Sequence, residues 1–232
     1  MNNLLERTKI KGKDIYLVGS PKNDTLEYRS ERKTQHCIGL GVSNVDDIFL
    51  VREMVAEILS EDKNFTLFIR PHPSFKGFEE ILDMSHSRLF IRSPDQESMK
   101  DYLDSISTLI VNDSGIFFEA LLSGVDVIRA KLSNKYLNNY GLPEEFSPLY
   151  DKSFGEIVDF IFSHKNSSEL DQKEIRFFFG NVSTKFESNA SDISLKIVSH
   201  YVQTDATIES KLHSYFSKEI HDGNRIYTLP SI

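Results

Sequence analysis

The sequence contains no tryptophan and a single cysteine, Cys37, in 232 residues. One cysteine excludes an internal disulfide and is typical of proteins from a reducing compartment. No stretch approaches the ~18 apolar residues of a membrane-spanning helix. The opening residues MNNLLERTKIK also lack the apolar core of a secretion signal. We therefore expect a cytoplasmic protein with at most peripheral membrane association.

The chain is also poor in positive charge. Its 27 lysines and arginines are outnumbered by 35 acidic residues, which gives a formal net charge of −8. Such a balance disfavours binding to nucleic acid, and no basic stretch is interleaved with aromatic residues. We expect no nucleic-acid partner.

Several motifs of metal sites and enzymes are missing from the sequence. There is no CxxC, no HExxH and no acidic cluster of the metal-binding kind. A Walker loop and a GxSxG elbow are absent as well, which disfavours P-loop NTPases and α/β-hydrolases. We predict neither a metal nor another cofactor.

Between about residues 36 and 130, strand-like and helix-like segments alternate. The predicted strands are HCIGLGVS (36–43), FTLFIR (65–70), RLFI (88–91), TLIVN (108–112) and VDVIRA (125–130). Helical patterns separate them at 44–62, 75–84, within 93–107 and at 115–124. Apolar strands joined by helices predict a parallel sheet covered on both faces, the Rossmann-like doubly wound α/β fold.

The segments on either side of this unit differ from it. After residue 130 the pattern predicts no further strands, and helices at roughly 153–164, 168–179, 188–202 and 206–221. At the other end, KDIYLVGSPKND (13–24) predicts an isolated strand followed by a turn. A lone strand needs a partner, so it must join the sheet or belong to a preceding domain. We predict three parts: 1–35, the Rossmann-like domain 36–165 and a helical extension 166–232.

The loop after the first strand of the sheet, GLGVSN (39–44), is the first candidate for ligand contact. In an open parallel sheet, ligands bind beyond the carboxyl ends of the strands. Gly41 would let a ligand approach the backbone, and Ser43 or Asn44 would cap the next helix. The pattern leaves plain capping and ligand contact, by Gly41 and Ser43, equally open.

The second candidate is the sequence RPHP, which follows the second strand of the sheet. Prolines 71 and 73 restrict the backbone around Arg70 and His72, so both side chains lose little entropy on binding. Arginine offers a planar fork of donors to phosphate, and histidine can donate a hydrogen bond to a phosphate oxygen. A strand-terminating turn that happens to contain a histidine is the alternative.

The third candidate is NDSGIFFEA (112–120), after the fourth strand of the sheet. Ser114 is predicted to cap a helix whose first amides, at Gly115 and Ile116, would bind an anion. Glu119 lies in an otherwise apolar helix, and a buried acid needs a partner. The alternative is a capped core helix with Glu119 at its edge. We assign substrate binding to four residues here: Asp113, Ser114, Gly115 and Glu119.

RPHP and IVNDSGIFFEALLSGVDVIRA, at these positions of the predicted fold, resemble the carboxyl-terminal domain of GT-B glycosyltransferases. The likeness covers roughly residues 13–165 and is to surface-polysaccharide enzymes of the Kdo-, sialyl- and CDP-glycerol transferase-like kinds. It implies that His72 contacts the donor phosphate as a catalytic group that holds the leaving nucleotide. It also implies that Ser114 and Gly115 bind phosphate.

DSGIFFEA is also similar to the DSGG-x-x-EE segment of non-hydrolysing UDP-GlcNAc 2-epimerases. That resemblance implies that Glu119 binds ribose. The match is weaker, because Ile116 replaces a glycine of the motif.

The resemblance to GT-B glycosyltransferases implies a function for the whole chain. The chain would bind a nucleotide sugar as the donor half of a metal-independent glycosyltransferase, with YLVGSP as the end of a preceding domain. A missing amino-terminal domain or partner subunit would supply the acceptor site and the base, so the chain alone would be inactive. The alternatives are an epimerase-like isomerase domain and a non-catalytic interaction module.

Overall fold

The computed structural model describes most of the chain and divides it into two compact units. Unit 1 comprises residues 1–27 and 172–232, and unit 2 comprises residues 28–171. The described residues are 14–26, 37–75, 83–139, 147–163, 184–187, 189–202, 212, 214–221 and 224–230.

Unit 2 is built on a five-stranded parallel sheet. Its strands are β2 (Cys37–Val42), β3 (Thr66–Pro71), β4 (Leu89–Ile91), β5 (Thr108–Val111) and β6 (Asp126–Arg129). Their order is β4-β3-β2-β5-β6, and every neighbouring pair runs parallel. The order reverses direction at β2, which is the doubly wound arrangement. The predicted fold class is confirmed.

Four helices of unit 2 accompany these strands: α1 (Ile48–Ser60), α2 (Met99–Ser105), α3 (Ile116–Leu122) and α4 (Phe154–Phe162). The predictions of helices at 44–62, within 93–107, at 115–124 and at 153–164 are confirmed. The helix predicted at 75–84 lies mostly outside the described residues.

The central strand β2 distributes its side chains strictly between the two faces of the sheet, because successive residues of a strand point to opposite sides. Ile38, Leu40 and Val42 join the main hydrophobic core with residues of α1 and α4. Gly39 and Gly41 face the other helices. A Cβ atom at Gly39 would lie 2.6 Å from the Tyr102 hydroxyl, so α2 packs directly on the strand backbone.

Unit 1 has a small sheet of its own, which corrects the prediction that strands end at residue 130. Strands β1 (Asp14–Leu17), β7 (Ser217–His221) and β8 (Asn224–Thr228) are arranged in the order β1-β8-β7. β1 runs parallel to β8, so this strand finds its partner in a separate sheet, near the other end of the sequence, and does not join the five-stranded sheet. Helix α5 (Ala190–Val202) confirms the helix predicted at 188–202.

The helix predicted at 206–221 is wrong over Ser217–His221, where β7 pairs antiparallel with β8. The sequence HDGN (221–224) contains Asp-Gly, a common connection in β-hairpins, and NRIYT alternates in polarity. These signals identify a hairpin, and the prediction overlooked them. The predicted helix at 168–179 and the residues 203–211 lie outside the described structure.

Candidate functional site

The candidate loops meet at the carboxyl edge of the unit 2 sheet. In the parallel register of β2 and β3, Gly41 lies opposite Arg70 and Val42 opposite Pro71. The amide of His72 donates to the carbonyl of Val42 over 2.7 Å, so the pairing continues one residue beyond β3. The histidine is therefore held at the tip of the central strand pair.

The His72 side chain is exposed, and within the described parts of the chain one of its ring nitrogens, Nδ1, has hydrogen-bond partners. The Ser74 amide donates to Nδ1 at 3.2 Å, and the Ser74 hydroxyl lies 2.8 Å from the same atom. An Nδ1 that accepts an amide hydrogen bond leaves the proton of the neutral ring on Nε2. No described residue forms a hydrogen bond with Nε2. His72 thus presents one N–H donor at this edge.

Arg70 lies below this edge rather than in the loop. Its side chain is only 6% exposed, and Nη2 donates to the carbonyl of Glu97 at 2.9 Å. The Glu97 carboxylate lies 3.5 Å from Nη1 and also pairs with Arg92, while the Tyr102 ring lies under the guanidinium at 5.1 Å. Nη1 itself has no hydrogen-bond partner among the described residues.

The electrostatic surroundings of Arg70 include Glu119. Burial lowers the pKa of the Arg70 guanidinium, and the carboxylates of Glu97 and Glu119 act in the opposite direction. Glu119 is 9% exposed in the middle of α3. Arg70, which the sequence pattern had assigned to phosphate, is thus close enough for the charge of this buried acid to act on it.

Gly41 has a packing reason to be glycine. A Cβ atom there would lie 3.0 Å from Val111 Cγ1 and 3.4 Å from Ile116 Cγ2. The missing side chain lets α3 approach the sheet closely. Contact between Gly41 and a ligand stays a prediction.

Ser43 does not cap α1, and neither does Asn44. The cap is Asp47, whose carboxylate accepts from the Phe49 amide at 2.9 Å. The amide and the hydroxyl of Ser43 both donate to Asp46 instead. Asp47 immediately precedes the first apolar residue of the helix, the position where an N-cap is expected, so the sequence did contain this signal.

The serine cap predicted for α3 is also wrong. The N-cap position is occupied by Gly115, and no side-chain hydrogen bond caps the helix. Ser114 is half-buried, and its carbonyl accepts from the Phe117 amide. α3 has seven residues, so its dipole is short. Any phosphate contact by Ser114 and Gly115 depends on individual donors rather than on a long helix.

Asp113 points into the protein. Its side chain is 0% exposed and lies 3.8 Å from Arg129 Nη2, and Oδ2 accepts from the Asn139 amide at 2.7 Å. These contacts give Asp113 a role in holding the chain after β6 rather than a surface that a substrate can touch.

Five residues of this edge were overlooked from the sequence: Asp46, Glu97, Asn112, Arg129 and Tyr150. Burial raises the pKa of the Asp46 carboxyl, although hydrogen bonds from Ser43 and Asn112 act to lower it. A charged residue in the apolar strand VDVIRA was the available signal for Arg129. The others carried no local signal.

A pocket of about 250 Å³ in unit 1 is lined by Lys185, Phe186, Ser214, Tyr215, Leu229 and Pro230. None of these residues belongs to a motif of the sequence, and the carboxyl edge of unit 2 remains the candidate site. The described residues contain no group of three or more metal-ligating side chains. Within the same residues, no helix is long and apolar enough to cross a bilayer.

The fold and the site define a class: an α/β protein whose second unit is a Rossmann-like domain with polar loops at its carboxyl edge. No protein-family model matches the sequence, and no curated protein is similar enough to it to count as a relative.

Three solved structures resemble the chain to different degrees. A candidate UDP-N-acetylglucosamine 2-epimerase from Listeria monocytogenes superposes with a TM-score of 0.56 at 16% identity, covering 88% of this chain and 57% of its own. KpsC of Thermosulfurimonas dismutans, a beta Kdo 2,4 transferase, has a TM-score of 0.35 at 14% identity. The match covers 49% of this chain and 41% of KpsC. The carboxyl-terminal domain of the group 1 glycosyl transferase LpcC from Francisella tularensis has a TM-score of 0.42 at 13% identity. The match covers 77% of this chain and 97% of that domain.

Of these three structures, the epimerase alone exceeds a TM-score of 0.5, and at 16% identity the likeness concerns the fold. The chain spans 57% of the epimerase and 41% of KpsC. An α/β fold is therefore shared with the candidate epimerase, and activity is a separate question.

Proposed function

We propose that the carboxyl edge of unit 2 binds the phosphate of a nucleotide sugar, and that the chain is the donor-binding half of a surface-polysaccharide glycosyltransferase. One observation carries this proposal. His72 stands exposed at the end of β3 with Nδ1 occupied, so its Nε2–H is a fixed donor at the edge where such folds bind ligands.

Each neighbouring group has a stated part in this proposal. His72 donates to an oxygen of the leaving nucleotide phosphate, where negative charge develops as the sugar is transferred. Arg70 adds positive charge from below the loop, where burial strengthens its effect. Ser114 and Gly115 contribute donors from the β5–α3 loop, and Glu119 accepts from the ribose.

This chain spans 57% of the length of the candidate epimerase, so no complete activity is carried over from that protein to it. We propose that a second domain or subunit supplies the acceptor and the base, and that the chain alone transfers no sugar.

An epimerase-like isomerase domain is the second candidate. It is favoured by the fold likeness to the candidate UDP-N-acetylglucosamine 2-epimerase, with its TM-score of 0.56. It is disfavoured by Ile116, which replaces the second glycine of the motif, and by Ala120, which replaces its second glutamate. A non-catalytic interaction module is the third candidate. It is favoured because Arg70 pairs with Glu97, and Asp113 with Arg129, inside the protein.

Titration calorimetry with UDP, CDP and CMP tests the proposal. We expect binding of at least one nucleotide, and His72→Ala should weaken it about tenfold, the loss of one hydrogen bond to a charged group. Because the side chain is exposed, the free energy of unfolding should change by less than about 0.5 kcal/mol. Binding of no nucleotide would support the interaction module instead.

His86 provides a matched control for this substitution. It is also exposed, and its Nδ1 accepts from the amide two residues later, at the same 3.2 Å, but it precedes β4 at the opposite edge of the sheet. His86→Ala should leave nucleotide affinity unchanged. Equal losses of nucleotide affinity in the two variants would mean that His72 affects binding only by shaping its turn and not by contacting the nucleotide.

Sugar transfer and epimerisation are distinguished after the missing domain is supplied. Release of nucleotide with a sugar joined to an acceptor supports the transferase. Inversion at C2 of the sugar nucleotide supports the isomerase.

A further inference from the structure

Hydrogen bonds between side chains tie the loops of the carboxyl edge to one another. The Asn44 side chain donates to the hydroxyl of Ser74, which also contacts His72. Two residues along the same loop, Asp46 accepts from Asn112 Nδ2 at 2.9 Å. The loops after β2, β3 and β5 are therefore joined without any ligand.

Asn112 is the junction of this network, because both polar atoms of its side chain and its backbone carbonyl bond to other segments. Its side-chain oxygen accepts from the Tyr150 hydroxyl at 3.0 Å, and its backbone carbonyl accepts from Arg129 Nε at 3.1 Å. Asn112 is 1% exposed. The network thus extends from the loop after β5 to the chain after β6.

Arg129 is the anchor at the end of β6. Besides Asn112, its guanidinium donates to the Leu137 carbonyl at 2.8 Å and to the Ser147 hydroxyl at 2.7 Å. Asp113 balances its charge, and the Tyr150 ring lies 4.9 Å from it. The side chain is 1% exposed, and its three nitrogens all donate to protein groups. Arg129 therefore holds protein segments and does not itself touch a ligand.

We propose that Arg129 is a positioning residue of the nucleotide site, an inference that rests on the proposed function. It fixes the loop after β5 and the segment 131–139 relative to each other before a ligand arrives. Fixing loops in advance removes an entropy cost from binding. Loss of the anchor therefore weakens nucleotide binding although no ligand contact is removed.

Arg88 is the matched control. It too donates to three groups, the carbonyls of Leu59, Glu61 and Lys63, and its guanidinium lies over the ring of Phe65 at 4.2 Å. These contacts are at the opposite, amino edge of the sheet. Arg129→Lys and Arg88→Lys thus lose comparable bonds at different edges.

The experiment measures UDP, CDP and CMP binding by calorimetry in the full chain, with hydrogen exchange of the Leu137 and Asn139 amides. We expect Arg129→Lys to weaken binding about tenfold, the size of effect that a small misplacement produces. Both amides should exchange faster in this variant. Arg88→Lys should leave affinity within about twofold of the wild type, since its contacts lie away from the site.

Tyr150→Phe provides a second variant in case Arg129→Lys does not fold, because it removes one hydroxyl and keeps the ring. It should weaken nucleotide binding about threefold, because the two hydrogen bonds of the hydroxyl, to Asn112 Oδ1 and from the Leu137 amide, act on the site only indirectly. Equal affinity in the Arg129 and Arg88 variants, or in Tyr150→Phe and the wild type, overturns this inference alone. A wild-type chain that binds none of the three nucleotides overturns the proposed function and this inference together.

Discussion

The two faces of the unit 2 sheet are made of different chemistry, although the same strands build both. Toward α1 and α4, β2 and β3 present only aliphatic side chains: Ile38, Leu40, Val42, Leu67 and Ile69. Toward α2 and α3, the same strands present Gly39, Gly41, Phe68 and Arg70. The first face stabilises the fold by burial, and the second gives space for close helices and a buried charge below the site.

The largest effect is expected on the aliphatic face. Leu40 is fully buried in the main core, so Leu40→Ala should lower the free energy of unfolding by about 3 kcal/mol through lost burial and a cavity. Urea denaturation measures this loss, and nucleotide affinity of the folded protein should be unchanged. A loss below about 1 kcal/mol would contradict the assignment of stability to this face.

A smaller loss of stability is expected on the face toward α2 and α3, where β2 has its glycines. Its cause is overpacking rather than a cavity. In Gly39→Ala the new Cβ would lie 2.6 Å from the Tyr102 hydroxyl and 2.7 Å from Ile106 Cδ1. Such overpacking should lower the free energy of unfolding by about 2 kcal/mol, again measured in urea.

Gly155→Ala is the control for Gly39→Ala. At Gly155 the nearest atom to a new Cβ is Glu57 Oε1 at 3.2 Å, the end of a flexible side chain. Alanine also favours the helix there by up to about 1 kcal/mol. We expect no loss of stability, and a loss equal to that of Gly39→Ala would refute the packing argument.

A still smaller loss of stability is expected for Arg70→Met, which tests the charge on the same face. Methionine keeps apolar packing at this position, and Glu97 keeps its pair with Arg92, so the Glu97 carboxylate is not left uncompensated. The free energy of unfolding should fall by about 1 kcal/mol or less. Nucleotide affinity should fall measurably in calorimetry. Unchanged affinity with a large loss of stability would make Arg70 purely structural.

The order of elements in unit 2 could be predicted from the sequence because its signals are local. β2 is an apolar run of strand length, and α1 shows helical spacing within thirteen residues. The motifs RPHP and NDSGIFFEA also fall at the carboxyl ends of β3 and β5, where the fold requires them. Alternation and spacing within one element are sufficient for such predictions.

The polar network could not be predicted, because its partners are distant in sequence. Asp46 and Asn112 are 66 residues apart, and Asn112 and Tyr150 are 38 apart. No periodicity links such positions, so whether a buried acid contacts a ligand or another side chain depends on tertiary packing. For the same reason Asp113 and Arg70, both assigned to substrate from their motifs, have internal partners in the structure.

The pairing of β1 with β8 has a consequence for the order in which the chain folds. Asp14 and Arg225 are bonded across 211 residues, whereas every strand of unit 2 lies within one continuous stretch. Closing so long a loop is entropically costly and slow, and domains generally fold as units during synthesis. Unit 2 is therefore expected to fold first on the ribosome. β1 can pair only after β8 has been synthesised.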